Sequence, residues 1–307
     1  MSGRRSLLPP ALEWTADFQG RLRADEPMSR HTSWHVGGPV DWWFVPRDLP
    51  DLRAFLRALP REIPVHWIGL GSNLLVRDGG LRGAAIALHG VLARLDRLSQ
   101  NTIHCDAGVP CARIAKQCVK WGIGPAAFFA GIPGTLGGAL AMNAGAWGGE
   151  TWPHVEEVTV VGRDGSLQTR TADEYQWGYR HVVPPAADEA FLGARLRFER
   201  RPEASNEEIK ILLDRRRDTQ PIGEWSCGST FTNPAGDHAA RLIETAGLKG
   251  CRRGGAVVSH KHANFIVNEG EATAADIEGL IAHVRAEVLR VHGIELNTEV
   301  RILGEAA

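Results

Sequence analysis

Residues 131–150 read GIPGTLGGALAMNAGAWGGE, in which seven of twenty are glycine and Glu150 is the one charge. Glycine fills a core poorly and weakens both helices and strands. So much of it in an almost uncharged stretch predicts a loop whose backbone must approach something flat or anionic, as a large cofactor would require. The competing explanation is a tight packing corner, for which the missing Cβ is reason enough.

A chain of 307 residues is long enough for two or three domains, or for one large one. Its 43% hydrophobic and 23% charged residues are ordinary for a globular enzyme. The net charge of −1 offers no electrostatic footprint for nucleic acid or an anionic membrane. Cys105, Cys111, Cys118, Cys227 and Cys251 are odd in number and contain no C-x-x-C pair. That argues against a zinc site and a disulfide framework, and fits a reducing cytoplasm. The N-terminal stretch MSGRRSLLPPALEW carries two arginines, but its apolar run is short and broken by Pro9 and Pro10. No signal peptide or membrane anchor is expected, and no run approaches a transmembrane span.

The patterning predicts an α+β fold. Short β-like runs at 42–45, 65–68, 84–88 and 102–105 are separated by glycine turns. One helix follows Asp48, with Pro50 in its first turn, and another covers about 111–121 with Gly122 as a left-handed cap. Val158–Val161 and Leu167–Thr171 flank Arg163-Asp164-Gly165-Ser166 as a hairpin. Ser205 and Glu208 form a capping box for a helix ending at Arg215-Arg216-Arg217. Thr273 caps a long helix with Ile277, Leu280, Ile281, Val284 and Val288 on one face, stopped by Gly293. The last element, 296–303, alternates as a strand, with Glu299 and Arg301 on its non-apolar face. Residues 1–25 read as an N-terminal arm, 26–200 as a first domain with subdomains of about 26–90 and 91–200, and 201–307 as a C-terminal domain.

Several constellations could carry chemistry. Gly69-Leu70-Gly71-Ser72-Asn73 follows a strand but lacks the third glycine of a Rossmann fingerprint and the Gly-Lys-Ser/Thr of a P-loop. A glycine turn with Ser and Asn can still offer donors to a diphosphate, or be a polar turn and nothing more. With the long glycine segment and Val36-Gly37-Gly38-Pro39, it suggests a dinucleotide bound without a Rossmann helix. Arg180, in Trp177-Gly178-Tyr179-Arg180, reads by default as a surface arginine. Ser229, between Gly228 and an Asn233-Pro234 turn, is either exposed at a site or satisfies the turn, the commoner case. Glu299 beside Arg301 reads by default as a solvated edge carboxylate. His260-Lys261-His262 alternates as in a strand, but no third ligand stands at metal spacing, so no metal is expected.

The motifs occur in a specific order: Gly69–Asn73 with LLVRDGGLRG, the segment 131–150, Tyr179-Arg180, Gly228-Ser229-x-Phe231-x-Asn233-Pro234, Ala246-Gly247-Leu248-Lys249-Gly250, Ser259–Phe265 and Leu296-x-x-Glu299-Val300-Arg301. From about residue 28 to 304 the chain resembles the UDP-N-acetylenolpyruvoylglucosamine reductase family of peptidoglycan synthesis, in its shorter branch, because Phe191–Arg217 leaves no room for an extra substrate-capping loop. The resemblance implies a two-subdomain FAD-binding fold of the vanillyl-alcohol oxidase type, followed by a C-terminal α/β substrate-binding domain. It implies non-covalent FAD, NADPH as hydride donor and UDP-N-acetylglucosamine enolpyruvate as substrate, in a cytoplasmic monomer that binds neither nucleic acid nor membrane.

On the same resemblance Ser229 is the proton donor, with Arg180 and Glu299 as catalytic companions. The candidate FAD contacts are Gly37, Gly38, Gly69, Gly71, Ser72 and Asn73, together with Gly131, Ile132, Pro133, Gly134, Thr135, Gly137, Gly138, Asn143 and Gly145. Arg216, Arg217 and Lys261 are candidate phosphate contacts, and Asn233 and Asn264 candidate contacts to the sugar nucleotide. Three positions depart from the family pattern: Val182 where serine is frequent, Thr232 where lysine is common, and His31 where asparagine is common. The alternatives are a flavin-dependent oxidase of small alcohols in the same fold group, and a non-catalytic nucleotide-binding module. No covalent flavin-attachment motif is visible, and the joint presence of Arg180, Ser229 and Glu299 argues for the reductase.

Overall fold

Apolar spacing and caps dictate the helices, and the sheets assemble around them. The computed structural model describes residues 18–307. Most of the expected N-terminal arm lies outside these residues. Its last part, from Arg21, is the start of the strand Arg21–Pro27, which takes the edge of a four-stranded sheet beside Pro39–Val45. The chain forms two compact units that interleave along the sequence. One comprises 42–69 and 83–214 with the described residues before Asp25, and the other 25–41, 70–82 and 215–307.

In the first unit, helix α1 (Leu49–Ala58) starts where the Asp48 carboxylate accepts the Asp51 N–H at 2.9 Å, with Pro50 in the first turn. An N-cap of this kind satisfies a donor that the helix cannot satisfy itself. Leu52, Phe55 and Leu56 bury one face of α1. Helix α2 (Cys111–Trp121) buries Cys111, Ile114, Ala115 and Cys118 and stops at Gly122, whose φ of 64° is left-handed. Burial pushes the Cys118 thiol up to about 12, so it packs as a small hydrophobe rather than as a nucleophile. A five-stranded antiparallel sheet runs in the order Leu167–Thr171, Val155–Gly162, Glu189–Arg197, Thr102–Asp106, Leu95–Arg97. Its first pair is the expected hairpin around Gly165. The glycine segment is not one loop. It contains the short helix α3 (Leu136–Met142) and a small hairpin pairing Gly145–Ala146 with Gly149–Glu150. Helix α4 (Asn206–Thr219) extends two residues past the expected Arg217, and the boundary of the unit falls inside it, after Asp214.

The second unit draws an early segment into the C-terminal region. The strand Leu74–Val76 pairs in parallel with Arg301–Leu303. After α5 (Ala239–Thr245), the sheet Arg252–Arg253, Ala256–Val258, Ile266–Asn268 is covered by α6 (Ala274–His292). Ile277, Leu280, Ile281, Val284 and Val288 are all buried, at roughly 1.5–3 kcal/mol each for the larger side chains. Thr273 and Asp276 form a reciprocal capping box, and Gly293 closes the helix in the left-handed region. The Arg77-Asp78 motif has its physical reason here. Asp78 accepts the Ala274 and Ala275 N–H groups at 3.0 and 2.9 Å, and Arg77 grips Glu278 with two nitrogens at 2.8 and 2.7 Å.

Two expectations are corrected in this unit. Only Arg301–Leu303 of the expected strand 296–303 pairs as a strand; before it the Glu299 and Val300 N–H groups both turn to the Thr230 carbonyl, and Thr298 makes an isolated bridge with Phe231, so no regular ladder forms although Leu296 and Val300 are buried as the alternation requires. His260-Lys261-His262 is a bend between Ala256–Val258 and Ile266–Asn268, not a strand, since Ser259 Oγ accepts the Lys261 N–H and turns the chain. Replacing Asp78 with alanine removes the acceptor for two donors at the start of α6, so Asp78→Ala is expected to cost about 1 kcal/mol. A denaturant melt showing no shift in midpoint would reject this capping role.

Candidate functional site

The glycines of 131–150 answer two different demands. A Cβ on Gly131 would lie 2.7 Å from Trp147, one on Gly145 would lie 2.2 Å from the Gly149 oxygen, and one on Gly149 would lie 2.5 Å from the Phe128 ring. These are packing corners. At Gly138 a Cβ meets nothing within 4 Å, and both Gly138 and Pro133 are exposed. Gly69 stands against the same segment, since its Cβ would lie 2.9 Å from Thr135 Oγ1. Ile132 is buried, the Gly134 carbonyl accepts Cys111 N–H at 2.9 Å, and Gly137 N–H donates to the Ala107 carbonyl. The first unit therefore brings Gly69 and Thr135 together in a surface that holds no charge from residue 131 to 149.

Gly37, Gly38 and Gly71 lie in the second unit and are shaped by the protein itself. A Cβ on Gly38 would sit 2.1 Å from the Asp78 oxygen, and one on Gly71 1.8 Å from the His31 oxygen. Gly37 and Gly71 have φ of 124° and 65°, a region in which side chains are strained. Ser72 and Asn73 are half-buried. Asn73 spends its Nδ2 on the Glu299 carbonyl at 3.1 Å, and its own carbonyl accepts from Arg301 N–H.

Arg180 is no ordinary surface arginine. It sits at the tip of the hairpin Gln176–Gly178/His181–Val183 with φ of 55°. Such a conformation costs about 1–3 kcal/mol unless the surroundings hold it. Its Nη2 donates to the Gly145 carbonyl at 2.9 Å and its Nη1 to the Asn143 carbonyl at 3.4 Å. The guanidinium lies 5.1 Å from the centroid of the Tyr179 ring, within cation–π range. Asn143 and Glu150 complete this polar cluster, Asn143 Nδ2 donating to Glu150 Oε2. Sequence reasoning missed Glu150 in this setting, although its standing as the lone charge of the segment was the available signal.

Within the second unit the chain brings the Ser229 and Glu299 segments together. Glu299 N–H donates to the Thr230 carbonyl at 2.9 Å, and Phe231 bridges to Thr298. Ser229 is half-buried beside Gly228, whose φ is 74° and around which a Cβ finds nothing within 4 Å. Thr230 is buried, and its hydroxyl has no partner among the described residues. Asn264, only 4% exposed, is committed to this segment. Its Oδ1 accepts Phe231 N–H at 3.0 Å, its Nδ2 donates to Phe231 O at 2.8 Å, and its carbonyl accepts Thr230 N–H at 2.8 Å. The buried amide thus aligns the Ser229 segment. Asn233 is exposed and caps α5, accepting Ala239 N–H at 3.1 Å. Thr232 bonds Asn297 through its backbone N–H.

Of the basic candidates, Lys261 donates to the Arg217 carbonyl, which brings these two together. Arg216 bonds Gln220 Oε1 at 2.9 Å, and burial holds its guanidinium below the ordinary arginine value. Among the described residues no group of three His, Cys, Asp or Glu side chains could hold a metal. His260 packs over Gly250, and His262 meets Phe265 edge-on at 4.8 Å. Burial, with Lys249 adding to it, holds the His262 imidazole below its usual 6.5, and its Nδ1 lacks a partner among the described residues. An unfolded chain takes up this proton near 6.5 and the folded one only at lower pH. His262 therefore favours folding above about 6.5, and that contribution is lost as pH falls through the folded value. A histidine NMR titration should place its midpoint below 6.5, and a midpoint above that would contradict the burial argument.

Comparison with known proteins adds independent findings. Residues 220–303 match the profile described as UDP-N-acetylenolpyruvoylglucosamine reductase, C-terminal domain, and 41–171 that of an FAD binding domain. A UDP-N-acetylenolpyruvoylglucosamine reductase of Alkalilimnicola ehrlichii is 57% identical over 94% of this chain and 96% of its own length. One from Coxiella burnetii is 47% identical over 94% of this chain and 98% of its own. The crystal structure of UDP-N-acetylenolpyruvylglucosamine reductase from Thermus caldophilus superposes with a TM-score of 0.78 at 31% identity, covering 92% of this chain and 98% of that one.

Proposed function

The chain belongs to the UDP-N-acetylenolpyruvoylglucosamine reductase family, and we propose that it carries out the NADPH-dependent reduction of UDP-N-acetylglucosamine enolpyruvate to UDP-N-acetylmuramate, a step of peptidoglycan synthesis. It is an FAD oxidoreductase of α+β fold, with an FAD-binding domain and a C-terminal reductase domain. The residues fit FAD. The stretch 131–149 carries no carboxylate to repel a diphosphate, and at exposed Gly138 a Cβ meets nothing within 4 Å, which leaves that surface open to a cofactor. The first unit would hold the cofactor through Gly69 and the 131–138 segment. Gly37, Gly38, Gly71, Ser72 and Asn73 would contribute by the loop shape they allow. The second unit would take the sugar nucleotide, with Arg216, Arg217 and Lys261 toward its phosphates and Asn233 toward its polar groups.

When bound, FAD supplies the means to accept a hydride from NADPH and deliver it to the terminal methylene of the enolpyruvyl group. The chain's own residues manage the charge and the proton. As the methylene gains hydride, negative charge builds on the α-carbon and, by conjugation, on the carboxylate. The planar fork of Arg180 suits that carboxylate. Ser229 Oγ–H gives its proton to the α-carbon from one face, and the serine recovers a proton from solvent. Serine is a weak acid, but transfer to so basic a carbon runs downhill once the geometry is set. The open space at Gly228 gives a bulky substrate access to Ser229. Glu299 assists as a protonated acid or through a water, since a bare carboxylate would oppose the developing charge.

The observation that carries this reading is the hydrogen bond from Glu299 N–H to the Thr230 carbonyl, which sets the segments of the proposed acid and its companion side by side. The free thiols of all five cysteines suit a reducing cytoplasm. Among the described residues no helix is long and apolar enough to cross a membrane.

Stopped-flow absorbance separates the two half-reactions. Ser229→Ala should be yellow and bleached by NADPH at the normal rate, while recolouring by the enolpyruvyl substrate slows by roughly 10²–10⁴-fold. Recolouring at the wild-type rate would remove Ser229 as the acid. Arg180→Ala should slow recolouring by roughly 10²–10³-fold and bleaching much less. Equal slowing of both would mean that the arginine places the cofactor instead.

A further inference from the structure

The hydrogen bonds of Asn143 assign it a different task from cofactor contact. We infer that Asn143, anchored by Glu150, is the positioning residue that presets the Arg180 guanidinium. The inference rests on the reading of Arg180 as the group that meets the substrate carboxylate. Asn143 is 0% exposed. It terminates α3 in the left-handed region, with φ of 46° and ψ of 55°. Its Nδ2 donates to Glu150 Oε2 and to the Gly178 carbonyl, both at 2.9 Å, and its Oδ1 accepts Trp152 N–H at 3.0 Å. Both amide hydrogens are thereby spent inside the protein. The Asn143 backbone carbonyl accepts from Arg180 Nη1, and Gly145, two residues on, accepts from Nη2.

One residue thus grips the arginine hairpin twice. Its side chain holds the backbone at Gly178, and its main chain receives the guanidinium. This accounts for the left-handed φ of Arg180, a conformation that persists only where neighbours over-determine it. It also explains why asparagine stands here. Two acceptors, a carboxylate and a carbonyl, face one side chain that must supply two donors from a backbone few residues tolerate. Aspartate has nearly the same shape but supplies neither donor, and it would set a second carboxylate against Glu150. A guanidinium fixed before substrate arrives loses less freedom on meeting a carboxylate, and a displacement of about 1 Å in such a group can cost about 10²-fold in rate.

The test is a double-mutant cycle in the FAD-loaded enzyme, read by stopped flow. Asn143→Gly removes the side chain while preserving the left-handed backbone. It should retain FAD and be bleached by NADPH normally, but recolour about 10²-fold more slowly with the enolpyruvyl substrate. In an Arg180→Ala background the same change should have no further effect. Glu150→Ala should slow recolouring by about tenfold, as expected for a lost charge-assisted hydrogen bond, and Glu150→Gln should recover most of that loss because its amide oxygen still accepts from Nδ2. The glutamate pair keeps the test open should the glycine variant not fold. Recolouring at the wild-type rate in Asn143→Gly, or additive losses in the double variant, would overturn the inference while leaving Arg180 in its role. Loss of FAD or equal slowing of both half-reactions would return Asn143 to the cofactor. An unaffected Arg180→Ala would instead overturn the role of the arginine, and the inference with it.

Discussion

The parallel pairing of Leu74–Val76 with Arg301–Leu303 is the constraint on which the second unit depends. Parallel strands cannot be joined by a tight turn, so their pairing ties together segments more than two hundred residues apart. Everything around the proposed acid inherits its position from this seam. Arg301 N–H bonds Asn73 O, Asn73 Nδ2 bonds Glu299 O, and Glu299 N–H bonds Thr230 O. The Ser229 segment is then held from its other side by the buried amide of Asn264. Just beyond the seam, Arg77 and Asp78 fasten α6, so the helix that closes the core also steadies the strand beside Asn73. A polar ladder of this length holds because nearly every rung is a backbone group with a partner, and an unmade bond there would leave a desolvated donor or acceptor.

Polarity in the first unit is organised around a different need. The glycine segment lets backbone approach backbone at Gly145 and Gly149, which brings Asn143 and Glu150 close to the arginine hairpin. A larger residue at Gly145 would collide with the Gly149 oxygen and dislodge the carbonyl that receives Arg180 Nη2. The packing explanation therefore applies to some of these glycines and not to all. Gly131, Gly145 and Gly149 are corners, whereas Gly138 faces open space and Gly69 makes a close approach to Thr135.

Local features of the chain were readable because their causes are local. The Asp48 cap, the left-handed Gly122 and Gly293, the Thr273 capping box and the hairpin around Gly165 all depend on residues within a few positions of one another. The apolar stripe of α6 was equally plain, since its period matches the helix. The strand reading held only for 301–303 of 296–303, where Glu299 and Val300 share one carbonyl partner instead of a regular ladder, and failed at His260–His262, where the Ser259 turn overrides alternation. The division of the chain into units lay beyond local pattern altogether, for 70–82 joins the C-terminal residues through strand pairing and 25–41 through the burial of Trp34 and Val36 in their core.

The sequence by itself determined the family, the helices and their ends, and which residue types stood ready for flavin-linked reduction, because ordered motifs and caps are written in neighbouring residues. Only the tertiary structure decided what several of those residues do. It committed the side-chain amides of Asn264 and Asn73 to backbone partners, and set the Asn143 side chain at the centre of a buried hydrogen-bond cluster. It also raised Arg180 from a default surface charge to a held guanidinium. The reason is that a side chain's identity lists the donors and acceptors it owns, while the partners that consume them are chosen by long-range packing.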